Sequence, residues 1–185
     1  GGDFCVLQLR RQHVCGFDYL AQIRYQLLRN QLIASLTLTH CGSTPIPYGC
    51  GFHPFFSFDK RSTVQFAASG YWPEGEQHLP LNWQSPLPGY ADFSHPQYGE
   101  DRWLNVGYSG WSGRARIVSN VMNIAILSQT SWLMLFRMQG EPFLCLEPQT
   151  HPVNAHNMDG QPGLRVLGAG DTLNFSLKID VQGRE

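Results

Sequence analysis

Alternation of apolar and polar residues with a period of two dominates the chain. It is clearest over residues 172–179, where every second residue is apolar, and residues 21–27 and 32–38 repeat it on either side of Arg29 and Asn30. Successive side chains of a β-strand point to opposite faces, so this pattern predicts strands with one buried face. The two runs that flank Arg29 and Asn30 predict an antiparallel hairpin.

Shorter alternations of the same kind cover residues 64–68, 122–126 and 133–135. No stretch combines a capping residue with apolar residues at helical spacing, so we expect little helix. The fold class that these patterns favour is all-β, with antiparallel strands packed as a sandwich.

The alternation breaks between residues 70 and 102. Five prolines interrupt this segment, which also carries Trp72, Trp83, Tyr90 and Tyr98. Aromatic rings favour burial, and a loop of this length inside a domain is typically functional or disordered. We therefore expect a packed excursion that covers a sheet face or the mouth of a cleft.

Composition narrows the class of protein. The chain has 185 residues, of which 42 % are hydrophobic and 15 % charged, and its 13 Lys and Arg against 14 Asp and Glu leave a net charge of −1. This predicts one soluble, cytoplasmic domain over residues 1–185, and it disfavours nucleic acid or an anionic membrane as a partner. No apolar run approaches the ~20 residues of a membrane-spanning helix.

Metal, cofactor and nucleophile motifs are weak. The five cysteines form no C-x-x-C pair, which favours reduced structural thiols, and His151 and His156 are spaced so that neither a helix nor a strand would bring them together. No G-x-S-x-G motif is present, and the glycines at 168 and 170 lead into a predicted strand, whereas a phosphate-binding loop leads into a helix. We expect no metal site and no cofactor.

His53 is the first candidate for chemistry. It lies in the segment PIPYGCGFHPFF (residues 45–56), where prolines and glycines restrict the backbone and Pro54 biases His53 to an extended conformation. A partly buried imidazole among aromatic rings can serve as a general acid. The alternative is a histidine whose hydrogen bonds are satisfied within the core.

Glu147 is the second candidate. It follows the apolar run FLCL (residues 143–146), where a carboxylate is costly to bury without a partner or a role. Burial would raise its pKa toward the range of a general base. The alternative is a structural salt bridge to Arg114, Arg116 or Arg165.

These clusters, in this order, resemble the aldose 1-epimerase (galactose mutarotase) family. The resemblance extends from about residue 16 to the end of the chain, and it rests on the segments 36–40 (LTLTH), 45–56 (PIPYGCGFHPFF), 73–76 (PEGE), 108–115 (YSGWSGRA), 145–148 (CLEP), 152–157 (PVNAHN) and 163–167 (GLRVL). It implies an antiparallel β-supersandwich and an enzyme that interconverts the α and β anomers of a hexose through the open-chain aldehyde.

The resemblance also implies roles for individual residues. Glu147 corresponds to the family's general base and His53 to its general acid, with space for one pyranose between them. Aromatic faces for the sugar are expected from Phe52, Phe55 and Trp72.

Two departures from the family pattern matter. Family members are longer, and their first third supplies an arginine and a further histidine to the pocket, so we expect residues 1–185 to represent the C-terminal two-thirds of the fold. A second copy, giving a homodimer, or a missing N-terminal segment would then cover the exposed sheet edges, and the start at Gly1 favours the segment. Asn105 stands where the family often has a sugar-binding aspartate.

Three functions remain open. The first is a mutarotase for a neutral hexose, with a sugar-phosphate mutarotase as a variant that would need distant arginines such as Arg61, Arg102 or Arg114. The second is a carbohydrate-binding sandwich without turnover. The third is a purely structural interaction domain.

Overall fold

A computed structural model describes residues 3–184 of the chain. Its regular structure consists of two short 3₁₀ helices, Glu76–His78 and Ala155–Asn157, and the following strands: β1 (Asp3–Val14), β2 (Phe17–Leu28), β3 (Gln31–His40), β4 (Ile46–Tyr48), β5 (Phe55–Ser57), β6 (Thr63–Phe66), β7 (Gly70–Trp72), β8 (Gln97–Tyr98), β9 (Leu104–Ser109), β10 (Arg114–Val118), β11 (Met122–Ser128), β12 (Trp132–Arg137), β13 (Phe143–Gln149), β14 (Arg165–Leu167) and β15 (Thr172–Gly183).

The strands form three antiparallel sheets. An eight-stranded sheet has the order β1-β2-β3-β15-β11-β10-β6-β8, a five-stranded sheet has the order β5-β13-β12-β9-β7, and β14 pairs with β4. The prediction of an all-β, antiparallel fold with little helix is confirmed.

The predicted hairpin is present as β2 and β3. Leu28 pairs with Gln31, which leaves Arg29 and Asn30 as a two-residue turn. Arg29 adopts a positive φ of 57°, as the first position of such a turn requires, and the Asn30 side-chain amide donates to the carbonyl of Val181 at 2.8 Å. The turn is therefore tied to the neighbouring strand β15.

The main core lies between the two large sheets. One side of this core is formed by every second residue of four strands of the eight-stranded sheet, β15, β11, β10 and β6. The other side is formed by every second residue of β13, β12 and β9. The largest fully buried side chains on the two sides include Ile117, Ile126, Leu135, Leu146 and Tyr108. Burial of these apolar side chains is what holds the two sheets together.

The proline-rich segment between residues 70 and 102 is packed only in part, because Trp83, Tyr90 and Tyr98, three of the four rings on which the prediction rests, are exposed. Ala91 and Phe93 are buried in the main core, and their carbonyls accept hydrogen bonds from the Tyr108 hydroxyl at 3.0 Å and the Phe66 amide at 2.8 Å. Each loop carbonyl thereby satisfies a buried polar group of a strand.

Strand β1 differs from the rest of the fold because all twelve of its residues are exposed. It ends the eight-stranded sheet, so one of its edges has no strand partner among residues 3–184. Within the same range, no helix has the length and apolar character needed to cross a bilayer.

Candidate active site

The alternation of β13 separates its core residues from its chemically active ones. Leu144 and Leu146 point into the main core, so Cys145 and Glu147 project from the opposite face of the five-stranded sheet. We call this opposite face of β5, β13, β12, β9 and β7 the site face.

Strand register lines up a row of residues across the site face. Glu147 is opposite Met134, Met134 is opposite Gly107, and Gly107 is opposite Trp72. A Cβ atom at Gly107 would lie 3.8 Å from the Trp72 ring and 3.9 Å from the Met134 sulfur, so the missing side chain leaves a depression there. The depression is bordered by apolar and aromatic groups, with the carboxylate of Glu147 at one end of the row.

His53 reaches the site face because the chain on both sides of it is attached to β13. The amide of Phe52 donates to the carbonyl of Pro148 at 3.0 Å, and Phe55 pairs with Cys145 through β5. His53 and Pro54 lie between these two attachments and make no strand pairing themselves. The imidazole is therefore placed beside the C-terminal part of β13.

The imidazole and the Glu147 carboxylate are in direct contact. His53 Nε2 lies 3.2 Å from Glu147 Oε1, and the His53 ring stacks on Phe55 with centroids 4.9 Å apart and planes at 12°. The expected space for a pyranose between the two groups is therefore absent, because β13 pairing draws the loop tight against the strand. The His53 side chain is 54 % exposed, against 9 % for Glu147, so the imidazole is about half buried and the carboxylate is almost fully buried.

Burial makes Glu147 an unusually weak acid for a carboxyl group. Removal from water disfavours the carboxylate and raises its pKa to about 7. Within the part of the chain that the structure describes, Glu147 makes its one ion-pair contact with His53, and neither Arg114, Arg116 nor Arg165 is its partner. The structural salt bridge considered as an alternative is thus not formed.

Cys145 is a site-face residue that the sequence analysis does not single out. Its side chain is fully buried beside Glu147, and burial together with the negative charge of Glu147 raises the pKa of the thiol to about 12. All five cysteines lie in the described range and none forms a disulfide. The ligand atoms of His53, Cys145 and Glu147 all lie within 4.8 Å of one another, whereas His151 and His156 belong to no such group among residues 3–184.

A second carboxylate, Glu74, organises the other end of the site face. Asn105 Nδ2 and Trp103 Nε1 each donate to it at 2.6 Å, and His78 Nδ1 lies 2.5 Å from Oε1. Burial works against ionisation of Glu74, but these three hydrogen bonds outweigh it and lower its pKa. The site face therefore carries one carboxylate held ionised and one held close to its protonation point at neutral pH.

The predicted sugar-contacting aromatics do not all share this face. Trp72 lies on it, with its ring 5.8 Å from that of Trp132, and Phe55 is 62 % exposed beside His53. Phe52 instead stacks on Phe175 at 5.5 Å and packs against the main core. The attachment of Phe52 to β13 turns its ring inward, so this placement does not support the expected sugar contact.

An apolar cavity of about 220 Å³ lies behind His53. Phe52, His53 and Pro54 line it together with Ala34 and Leu177 of the eight-stranded sheet. His53 therefore lines this cavity and also contacts Glu147 on the site face.

Comparison with known proteins places these features in a family context. The family model described as aldose 1-epimerase matches residues 6–180. The protein YphB of Escherichia coli strain K12, described as uncharacterized, is 29 % identical over 191 residues, which is 97 % of this chain and 65 % of YphB.

Solved structures share the fold. The crystal structure of a candidate aldose 1-epimerase from Escherichia coli K12 superimposes with a TM-score of 0.93 at 27 % identity, covering 98 % of this chain and 66 % of that one. Galactose 1-epimerase from Lactobacillus acidophilus NCFM superimposes with a TM-score of 0.80 at 16 % identity, covering 100 % and 67 % of the two chains. The chain thus spans slightly less than two thirds of YphB and of the Escherichia coli structure.

Proposed function

The chain belongs to the aldose 1-epimerase family, and from this premise we propose that it interconverts the α and β anomers of a hexose. The observation that carries the proposal is the contact between Glu147 and His53, at 3.2 Å, on an aromatic-lined face of the sheet. A base and an acid that share one substrate are what ring opening of a pyranose requires.

In the proposed mechanism Glu147 removes the proton from the anomeric hydroxyl while His53 delivers a proton to the ring oxygen. The C1–O5 bond breaks, and the electron pair left on the anomeric oxygen forms the aldehyde. Rotation about C1–C2 presents the other face of the aldehyde, and closure reverses both proton transfers. A pKa of about 7 suits Glu147 to this task, because the group accepts and releases a proton near neutral pH.

The sugar has to part the Glu147–His53 contact as it binds. The half-exposed His53 is the movable partner, since its ring is held on one side by stacking on Phe55, whereas Glu147 is enclosed by β13 and its neighbours. Bound sugar would then replace one contact by two, one from its anomeric hydroxyl to Glu147 and one from its ring oxygen to His53.

The rest of the ring would lie along the row toward Trp72. Gly107 on β9 is in line with Glu147 on β13, two strand spacings away, and Asn105 lies two residues further along β9, so Glu147 and Asn105 are about 12 Å apart at ~4.8 Å per strand and ~3.3 Å per residue. This span suits one hexose with its hydroxyl groups. In this proposal Trp72 and Phe55 offer apolar ring faces, and Asn105 meets a hydroxyl together with the Glu74 that orients it.

A neutral hexose is favoured over a sugar phosphate. Arg61 pairs with Asp59, Arg102 contacts Glu100 and the Tyr90 carbonyl, and Arg114 lies on the eight-stranded sheet. None of these arginines belongs to the row that runs from Glu147 to Trp72, so a phosphate group would find no cation from this set.

Sugar binding without turnover is the second candidate. It is favoured by the absence of a ring-sized space between His53 and Glu147. In that case the site face would bind sugars through its aromatic rings, and no anomer exchange would be accelerated.

Polarimetry on a freshly dissolved α-hexose distinguishes the two candidates. We expect the wild-type chain to accelerate mutarotation, Glu147→Gln to abolish the acceleration, and Glu141→Gln, at an exposed site outside the site face, to retain it. Saturation of a sugar-binding signal by a wild-type protein that leaves the optical rotation decay unchanged would establish the binding function instead.

A partner for the edge of β1 is a further part of the proposal, and we propose that a second copy covers this edge when residues 1–185 are produced on their own. Two β1 strands paired antiparallel about Leu7 would place Asp3 of each opposite Arg11 of the other, and Cys5 opposite Leu9. Such pairing joins opposite charges and covers apolar side chains such as Leu7, which is 56 % exposed. A strand that is complementary to itself in this way suits a twofold interface.

A further inference from the structure

Three different ligand types meet at the catalytic end of the site face. One ring nitrogen of His53, the sulfur of Cys145 and a carboxylate oxygen of Glu147 all lie within 4.8 Å of one another. Cys145 and Glu147 are two residues apart on β13, so strand geometry directs both side chains to the same face. Backbone pairing of β5 with β13 then brings His53 to them.

Nitrogen, sulfur and oxygen donors in this combination fit Zn²⁺. Zinc bonds of about 2.0 to 2.3 Å arranged tetrahedrally imply ligand atoms roughly 3.3 to 3.8 Å apart. The separation of His53 Nε2 from Glu147 Oε1, 3.2 Å, is already close to this range, and the thiol of Cys145 lies within 4.8 Å of both. A small side-chain adjustment would therefore complete three ligands, with a water molecule as the fourth.

The trio is also accessible from one side. Cys145 and Glu147 are buried, but the His53 side chain is 54 % exposed and forms the outer wall of the cluster. An ion can first meet the imidazole in solvent and then bind inward to the carboxylate and the sulfur. Buried ligands behind an exposed outer one give a metal ion both an entry path and protection from water.

We propose that His53, Cys145 and Glu147 form a Zn²⁺ site whose occupation blocks the acid/base pair. On binding, the S–H bond of Cys145 breaks and a Zn–S bond forms, and the thiol proton, together with the carboxyl proton of any protonated Glu147, passes to water. The carboxylate and the imidazole nitrogen each donate a lone pair to the ion, so neither can exchange protons with a sugar. The inhibitory part of this proposal rests on the proposed function, whereas the metal site itself does not.

Direct binding measurements test the metal site. We expect one equivalent of Zn²⁺ to be taken from a chromophoric chelator by the wild-type chain, and about tenfold or greater loss of affinity in Cys145→Ser and in His53→Asn. Cys50→Ser is the matched control, because Cys50 is a partly buried cysteine outside the cluster, and it should bind as the wild type does. Co²⁺ in place of Zn²⁺ should show a thiolate-to-metal charge-transfer band that Cys145→Ser lacks and Cys50→Ser keeps.

Several outcomes would overturn the proposal. They are the absence of binding at micromolar Zn²⁺, retention of full affinity in both cluster variants, and a charge-transfer band that persists in Cys145→Ser. His53→Asn protects the test against misfolding of the buried variant, because the half-exposed His53 side chain contributes little to the core.

Activity separates this proposal from the proposed function. If Zn²⁺ binds through the trio but the metal-free chain accelerates no mutarotation, the metal site stands and the mutarotase proposal fails. If the metal-free chain accelerates mutarotation and binds no Zn²⁺, the metal site fails alone. If both hold, Zn²⁺ should abolish the acceleration, and a chelator should restore it.

Discussion

Replacing Glu147 by Gln should change how the stability of the fold depends on pH. Burial raises the pKa of Glu147 from 4.5 to about 7, so the folded chain holds this proton more tightly than the unfolded chain does. Below pH 4.5 the carboxyl is protonated in both states and costs nothing. Between pH 4.5 and 7 the folded state has to retain a proton that the unfolded state releases, and stability falls as the pH rises.

The size of the effect follows from the shift. One pKa unit corresponds to about 1.4 kcal/mol, so a shift from 4.5 to about 7 costs about 3 kcal/mol of unfolding free energy above pH 7. Glutamine has the shape of the carboxyl group without its charge and should escape this cost. The wild-type chain should therefore lose up to about 3 kcal/mol relative to Glu147→Gln across this window.

Two neighbouring groups face Glu147 and enter the comparison. The thiol of Cys145 stays neutral throughout the window, because its pKa is raised to about 12. A protonated His53, 3.2 Å away, would stabilise the carboxylate and reduce the loss. Repeating the series in a His53→Asn background removes that contribution, and we expect the full loss there.

Urea unfolding at several pH values between 4 and 8 measures the effect. With a slope of about 2 to 3 kcal/mol per molar urea, the midpoint difference between the wild type and Glu147→Gln should change by about 1 M across the series. Glu141→Gln, at an exposed site, serves as the control and should follow the wild type. If the difference in urea midpoint between the wild type and Glu147→Gln is the same at all pH values, burial does not raise the pKa of Glu147 as described.

Three further predictions concern the surface, the core and the sugar site. Leu7→Lys should convert the expected dimer to a monomer in light scattering. Val166→Lys, at another exposed apolar residue, should leave the dimer intact. A monomeric wild type would contradict the β1 interface. Ile126→Ala should lower the unfolding free energy by about 2 to 5 kcal/mol in urea titrations, because Ile126 is fully buried between the sheets, and a loss under 1 kcal/mol would contradict that packing. Trp72→Ala should weaken hexose binding about five- to tenfold in NMR titrations, because about 1 kcal/mol of contact with the ring is lost. Unchanged affinity would show that Trp72 does not contact the sugar.

The strands were the most predictable part of the fold because each carries its own pattern. The alternation over residues 172–179 specifies β15 and its buried face without reference to any other segment. The turn at Arg29 and Asn30 could be placed because the alternation stops and resumes around it. The exposure of β1 could not be predicted, since its apolar residues Phe4, Val6, Leu7 and Leu9 resemble those of a buried strand.

The site was only partly predictable for a physical reason. Glu147 stands out because a carboxylate at the end of an apolar strand is costly, and the same alternation would also have placed Cys145 on its face. The contact with His53 depends on pairing between segments far apart in the sequence, and no local pattern encodes its distance. Phe52 and Phe55 are equivalent in the sequence, and only the break at His53 and Pro54 sends their rings to opposite sides.

Exchange spectroscopy by NMR on an equilibrated hexose tests the central claim most directly, because it observes transfer of magnetisation between the α and β anomers themselves. The account predicts exchange cross-peaks above the buffer rate with the wild-type chain, and their loss with Glu147→Gln and with His53→Asn, while Glu141→Gln keeps them. Exchange at the buffer rate with folded wild-type protein, or undiminished exchange in both site variants, would contradict the assignment of Glu147 and His53 as the proton-transferring pair.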